Sequence, residues 1–172
     1  MLKTGSTAQG TAIKRLMADQ IKLTNSQEAG VHAEPSRKTM LIWNGHVIGP
    51  EGSYYEGGKF YITLYFPKDY PQKPPEVKFT SHIFHPNIFF NGEICLEELE
   101  EDWDPNYDVL SILLLVQHLL REPNFSSPAN PKASKLFRKN EEEYKDVVKA
   151  CIEKNKEDED EIQNKKQTIG YY

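Results

Sequence analysis

The residues best suited to do chemistry lie in one short segment that ends at Cys95. The segment reads His85-Pro86-Asn87-Ile88-Phe89-Phe90-Asn91-Gly92-Glu93-Ile94-Cys95. Asn91-Gly92 favours a tight turn, because both residue types tolerate positive φ. Such a turn would bring Cys95 back beside His85 and Asn87. A thiol, an amide and an imidazole in one neighbourhood predict thiol nucleophilic catalysis with an amide near the reacting carbonyl, while nothing local establishes a general base.

The cysteine lies in a strongly acidic stretch of the chain. Eight Asp and Glu residues occur between positions 93 and 108, and no Lys or Arg occurs there. The negative electrostatic potential of these carboxylates attracts cationic side chains and raises the pKa of a nearby thiol. A solvated acidic surface whose charge is incidental is the alternative interpretation.

The first element expected to position this segment is an N-terminal helix. Thr11 is a suitable cap for a helix that runs to about residue 24. Apolar residues recur inside it at helical spacing, which predicts a buried face made of Ile13, Leu16, Met17 and Ile21. Lys14 and Arg15 are then expected on the opposite, exposed face.

The middle of the chain has the pattern of strands. Residues 40–48, 58–66 and 76–79 are rich in β-branched and aromatic residues, and Gly-containing turns separate the first two, which predicts an antiparallel meander. In 58–66 the alternation predicts one face of Phe60, Ile62, Leu64 and Phe66. Three prolines within 70–75 predict a stiff exposed loop.

Helical pattern returns in the last third of the chain. Asp108 is a plausible cap for a helix over 109–121, apolar nearly all round and therefore buried against the sheet. Asn130 and Asn140 are suitable caps for two further helices. The acidic run 157–161 predicts a last helix that frays into a solvated extension, with a partner-binding acidic tail as the alternative.

These elements predict one α+β domain, a four-stranded antiparallel sheet with a buried central helix, one N-terminal helix and two C-terminal helices. The expected divisions are a flexible 1–10, a core at 11–155 and an acidic extension at 156–172. The chain has 172 residues, which suits a single domain.

Composition excludes several classes of function. Lys and Arg number 21 against 26 Asp and Glu, which argues against a nucleic-acid binder. No apolar run is long enough for a membrane span or a signal peptide. Cys95 and Cys151 are the two cysteines, so a disulfide framework is not expected, and Cys151 lies on an apolar helical stripe that predicts packing. We therefore expect a cytoplasmic or nuclear protein.

Several motifs at fixed spacing resemble those of the ubiquitin-conjugating enzyme family over about residues 11–155. They are His85-Pro86-Asn87 with Cys95 eight residues beyond Asn87, Tyr70-Pro71 followed by Pro74-Pro75, Trp103 eight residues beyond Cys95, Glu122-Pro123-Asn124, and the earlier Trp43 strand with Gly49-Pro50.

The resemblance implies that Cys95 accepts ubiquitin as a thioester from an activating enzyme and passes it to a substrate lysine with a ubiquitin ligase of RING or HECT type. By the same resemblance Asn87 donates to the oxyanion or holds the adjoining loop, and His85 gives structural support. Ser127 lies where the family places an acidic or serine gate beside the lysine, and Glu97 is the nearest carboxylate that could favour its approach. No cofactor and no metal are implied, because ATP is used upstream, and a monomer is expected.

Partner surfaces follow by position in the same way. The face for the ligase and the activating enzyme combines Lys14, Arg15, Gln72 and Pro105. The donor ubiquitin is expected on Ser111, Leu114 and His118. Gln72 departs from the residue commonest in ligase-binding members, which leaves the choice of ligase open.

Four other interpretations were weighed. A metal site of His82, His85 and Cys95 lacks a fourth ligand. A cysteine protease would need a histidine base with an orienting partner. A non-catalytic ubiquitin-binding variant would lack the cysteine that this chain keeps. Glu101-Asp102-Trp103 favours a conjugating enzyme for a ubiquitin-like modifier of neddylation type, but this chain lacks that branch's long basic N-terminal extension.

Overall fold

A computed structural model describes residues 4–28, 30–126 and 128–169 of the chain. The elements in order are α1 (Thr4–Asn25), β1 (Val31–Ser36), β2 (Thr39–Ile48), β3 (Lys59–Tyr65), β4 (Glu76–Phe79), a 3₁₀ turn (Glu97–Leu99), α2 (Val109–Arg121), α3 (Pro131–Lys139) and α4 (Glu141–Ile169). The strands form one antiparallel sheet in the order β1-β2-β3-β4. The predicted α+β arrangement and its antiparallel meander are confirmed.

The core lies between one face of the sheet and α2. Phe60, Ile62 and Leu64 of β3 are all buried on that face, as the alternation predicted. α2 begins where it was predicted, because the Asp108 carboxylate accepts a hydrogen bond of 2.8 Å from the Ser111 amide. Each large apolar side chain buried in such a core contributes about 1.5–3 kcal/mol relative to exposure.

The prediction for α1 was wrong in its start and in its buried face. The helix begins at Thr4, so Thr11 lies inside it. Leu16 is buried as predicted, but Met17 and Ile21 are 53% and 64% exposed, and the full set of buried residues is Ala12, Leu16, Asp19 and Leu23. These four follow each other at intervals of four, three and four residues, which also defines one helical face.

A polar network explains why Asp19 is on the buried side of α1. Its carboxylate accepts hydrogen bonds from Arg15 Nε at 2.8 Å and from the Tyr70 hydroxyl at 2.7 Å. Arg15 also donates to the Pro105 carbonyl and to the Tyr107 carbonyl, each at 2.9 Å. The prediction of an exposed Arg15 was therefore wrong, because its guanidinium joins α1 to the loop before α2.

The proline-rich segment 70–75 is only partly exposed, in contrast to the prediction. Tyr70 and Pro75 are buried, whereas Gln72 and Lys73 are exposed. The Tyr70 ring packs at 4.9 Å from the Phe66 ring, and its hydroxyl reaches Asp19. The segment is thus anchored at both ends and presents its middle to solvent.

The predicted fraying after residue 156 was wrong, since α4 continues without a break to Ile169. The Glu159 carboxylate accepts hydrogen bonds from Lys59 Nζ at 3.0 Å and from the Tyr61 hydroxyl at 2.6 Å. These two contacts tie the acidic run to β3. Cys151, predicted to be buried on this helix, is half-buried. Within the described ranges no helix is both long and apolar enough to cross a membrane.

Candidate active site

A short hairpin brings Cys95 to Asn87, as the Asn-Gly turn predicted. The Cys95 amide donates to the Asn87 carbonyl at 2.9 Å. One residue nearer the turn, Ile88 pairs with Ile94. Gly92 has a φ of 87° at the turn. A Cβ atom there would lie 2.0 Å from the Phe79 carbonyl oxygen, so only glycine fits against the edge of β4.

His85 is a buried, neutral imidazole with both nitrogens engaged. The Asn87 amide donates to Nδ1 at 2.9 Å, and Nε2 lies 2.8 Å from the Leu119 carbonyl. Since Nδ1 accepts, Nε2 carries the proton and donates to that carbonyl. Burial lowers the pKa of His85 to about 4, against the opposing effect of the Leu119 hydrogen bond. This geometry favours the structural role over that of a general base.

The lowered pKa of His85 predicts a loss of stability in mild acid. The unfolded chain protonates this residue near its ordinary pKa of 6.5, while the folded chain resists protonation down to a pKa of about 4. The unfolded state therefore binds more protons between these values, and the free energy of unfolding falls as pH decreases through that window. At pH 5 the His85 contribution should be about 2 kcal/mol.

Urea unfolding at pH 7 and pH 5 measures this effect. His85→Gln removes the titrating group, so the difference between the two pH values should shrink by about that 2 kcal/mol. His118→Gln, at an exposed position of α2, is the matched control and should keep the full difference. An undiminished difference in His85→Gln would show that another group carries the pH dependence.

The Asn87 side chain is buried and holds the chain that follows α2. Its Nδ2 donates to the Asn124 carbonyl at 2.6 Å, and its Oδ1 accepts from the Asn124 amide at 2.8 Å. Of the two roles predicted for Asn87, this geometry favours support of the adjoining loop. An amide nitrogen carries two hydrogens, so Nδ2 keeps a second one that is not used in the bond to Asn124.

Cys95 is half-buried and lines a depression that we call the α2-side cleft. The cleft is lined by Asn87, Cys95, Leu96, Glu97, Glu98, Leu115, His118, Leu119, Glu122 and Asn124. Burial raises the pKa of the Cys95 thiol, and repulsion between the thiolate and the carboxylates of Glu100 and Glu97 raises it further. The direction agrees with the prediction from the acidic stretch, but burial is the larger cause.

The structure brings some of the predicted site residues together and not others. Cys95, Asn87, Glu97 and His118 line one cleft, and His85 supports it from inside. Ser111 and Leu114 lie on α2 outside the lining of this cleft. Ser127, the predicted gate residue, lies outside the described residues.

The sequence analysis did not assign six cleft residues to the site, although two of them belong to the Glu122-Pro123-Asn124 motif: Leu96, Glu98, Leu115, Leu119, Glu122 and Asn124. Their signal was present in part, because positions 115, 118, 119 and 122 follow helical spacing along one side of α2 and its end. The sequence could not show that this stripe faces Cys95, since the hairpin and α2 are joined by contacts between distant residues.

The residues predicted to bind the ligase lie on neighbouring segments. Lys14 is exposed on α1, and Arg15 is fixed to the Pro105 carbonyl. The Trp103 indole donates to the Pro71 carbonyl at 2.8 Å, which joins the loop of Pro105 to the segment that contains Gln72. Lys14 and Gln72 are thus the predicted residues of this face whose side chains are exposed.

The histidines named in the metal alternative have other partners. His82 lies 3.3 Å from the Asp158 carboxylate, and His85 is enclosed as described. In the part of the chain that the structure describes, no group of three or more His, Cys, Asp and Glu side chains is placed to hold a metal ion.

An accessible thiol beside an enclosed, neutral imidazole suits exchange with an acyl group that is already activated, which describes an acyl-carrying transferase. The model of the ubiquitin-conjugating enzyme family matches residues 15–152. The chain belongs to the ubiquitin-conjugating enzyme family.

Curated relatives agree with this family over most of the chain. Ubiquitin-conjugating enzyme E2 2 of Candida glabrata is 46% identical over 147 residues, covering 86% of this chain and 88% of that protein. The proteins of the same name from Saccharomyces cerevisiae and Aspergillus fumigatus are 45% and 44% identical over 148 residues. These cover 86% of this chain, and 86% and 98% of the respective relatives. The chain is thus a transferase that conjugates ubiquitin through a thioester and works with an activating enzyme, ligases and substrate proteins.

Proposed function

We propose that Cys95 is the residue that carries ubiquitin. One observation supports this most: the hydrogen bond from the Cys95 amide to the Asn87 carbonyl fixes the cysteine in the wall of the α2-side cleft, where it is half-buried rather than enclosed. A thiol in that position can meet a macromolecular donor. Cys151 lies far along the chain on α4 and lacks this setting.

The reaction proceeds as two acyl transfers. The Cys95 thiolate attacks the thioester carbonyl of ubiquitin on the activating enzyme, and a new bond to Sγ forms as the activating enzyme's thiolate leaves. The uncharged amine of a substrate lysine then attacks the Cys95 thioester, loses a proton, and releases the Cys95 thiolate as the amide forms. No cofactor is required in either step, because ATP is used upstream in forming the first thioester.

The raised pKa of Cys95 is compatible with this chemistry. A thiol of raised pKa is mostly protonated at neutral pH and reacts slowly with weak electrophiles. A thioester is an activated acyl donor, so the first transfer does not need a strongly activated thiol. The carboxylate of Glu97 lines the same cleft and favours the approach of a cationic lysine.

The surfaces for partners follow from the positions of the predicted residues. Lys14, Gln72 and Pro105 form the face for a RING or HECT ligase and for the activating enzyme, with Arg15 fixing α1 to that loop. Donor ubiquitin folds over Ser111, Leu114 and His118 of α2, and the family resemblance assigns Ser127 to the gate for the substrate lysine. The enzyme acts as a monomer in the cytoplasm or nucleus.

A loading assay tests this proposal. The chain is mixed with activating enzyme, ATP and either ubiquitin or a ubiquitin-like modifier with its own activating enzyme, and the products are separated on gels with and without reductant. We expect a reductant-labile adduct of one ubiquitin, and none with the neddylation modifier. A labile adduct with that modifier alone would overturn the choice of ubiquitin.

A further inference from the structure

Two adjacent phenylalanines on the Cys95 hairpin are exposed. Phe89 is 44% exposed and Phe90 is 86% exposed. Both residues line a depression that includes His82 and Cys151. Phe89 also lines a second depression, beside the start of β4.

We call the second depression the β4-side groove. Its walls come from the proline segment and β4, from the hairpin, and from the 3₁₀ turn; they include Pro75, Glu76, Phe89, Glu93, Ile94 and Glu100. Ile94 directly precedes Cys95 in the chain. Glu100 lies close enough to the thiol for its carboxylate to raise the pKa of Cys95. Cys95 itself lines the α2-side cleft, so the groove ends one residue along the chain from the reacting cysteine.

The charge of this groove has one sign. The charged side chains among its described lining residues are the carboxylates of Glu76, Glu93 and Glu100. Glu93 is partly compensated by Lys78 at 3.9 Å. Glu76 and Glu100 have no salt-bridge or hydrogen-bond partner for their carboxylates within the described part of the chain. An anionic groove with an aromatic wall suits a side chain with an apolar stem and a cationic end.

The two depressions beside Cys95 differ in what they can receive. The α2-side cleft contains His118, part of the surface expected to hold donor ubiquitin. With the donor on that side, the β4-side groove stays free for chain next to an acceptor lysine, because Ile94 in its wall directly precedes Cys95.

We propose that the β4-side groove binds the residues next to the acceptor lysine of a protein substrate and selects arginine or lysine at those positions. This rests on the proposed role of Cys95 as the ubiquitin carrier. The cationic ends pair with Glu76 and Glu100, and an aliphatic stem lies against the Phe89 ring. The substrate class is thus a basic, exposed segment that contains the acceptor lysine.

Discharge of loaded enzyme onto short peptides tests this proposal. Two acetylated nine-residue peptides each contain one central lysine, flanked in one by arginine and in the other by glutamate. Without ligase, we expect a higher kcat/KM for the arginine peptide, mainly through a lower KM. Glu76→Lys should reduce this preference about fivefold, because a partly exposed charge pair is replaced by a repulsion. Phe89→Ser should reduce the use of the arginine peptide as well.

Glu34→Lys is the matched control for charge, since Glu34 is exposed on β1 at the opposite edge of the sheet from β4. Phe90→Ser is the matched control for the exposed ring. The kcat/KM of each variant for each peptide is divided by the rate at which that variant discharges ubiquitin onto free lysine. This ratio removes the effect of a general loss of transfer activity.

The proposal is overturned by equal kcat/KM for the two peptides in the parent chain. It is also overturned if Glu34→Lys loses the preference as much as Glu76→Lys does. A Glu76→Lys effect seen only when a ligase is added would overturn it too, because the ligase would then bind the groove. Absence of any ubiquitin adduct on Cys95 would instead overturn the proposed function, and the groove with it.

Discussion

With serine in place of Cys95, the chain is expected to hold ubiquitin as an adduct that survives reductant and to pass none of it to lysine. An oxyester carbonyl is less reactive toward amines than a thioester carbonyl, because the alkoxide is the poorer leaving group. The hydroxyl is also the weaker nucleophile, so loading should be slow. Non-reducing and reducing gels follow the adduct, and discharge onto free lysine measures transfer.

Cys151→Ser is the matched control for this substitution. Cys151 is half-buried on α4, and burial raises the pKa of its thiol, which disfavours reaction. This variant should form a reductant-labile adduct and discharge it as the parent chain does. If the labile adduct persisted in Cys95→Ser and disappeared in Cys151→Ser, the carrier would be the other cysteine.

The parts of the structure that the sequence predicted are those fixed by neighbours in the chain. Asn91-Gly92 places Cys95 against Asn87 because the turn between Phe89 and Glu93 needs positive φ at one position, which Gly92 supplies. Asp108 begins α2 because its carboxylate reaches the Ser111 amide three residues later. The faces of β3 follow from alternation alone. In each case the partner lies within about ten residues.

The predictions that failed depended on partners far away in the chain. Asp19 lies on the buried side of α1 because the Tyr70 hydroxyl, 51 residues later, meets it. Met17 and Ile21 are left exposed as a result, although their spacing is equally helical. Glu159 keeps α4 ordered through Lys59, at a separation of 100 residues. No local pattern encodes such pairs.

The site shows the same division between local and distant contacts. The motif that ends at Cys95 could be found from residue types and spacing, but the partners that define its chemistry could not. The Leu119 carbonyl fixes which ring nitrogen of His85 carries the proton, and the Asn124 backbone forms a hydrogen bond with the side-chain amide of Asn87. Leu119 lies 34 residues after His85, and Asn124 lies 37 residues after Asn87, which is why two roles for Asn87 stayed open.

Asn87→Ala is expected to load ubiquitin at close to the parent rate and to discharge it onto lysine about two orders of magnitude more slowly. Loading places the donor's carbonyl in a site that two proteins build together, whereas discharge depends on groups of this chain beside Cys95. Single-turnover discharge over a range of lysine concentrations separates the maximal rate from the KM. Equal losses in loading and in discharge would contradict this division.

The same variant separates the two physical roles of Asn87. If the amide mainly supports the loop, alanine removes the two hydrogen bonds to the Asn124 backbone, each of which contributes about 0.5–1.5 kcal/mol. The free energy of unfolding and the hydrogen-exchange protection of the Asn124 amide should then fall together with the discharge rate. If Asn87 mainly donates to the oxyanion through its remaining Nδ2 hydrogen, the maximal rate falls while both of those properties stay near the parent values. Because both amide atoms already bind Asn124, we expect the first pattern to account for most of the loss.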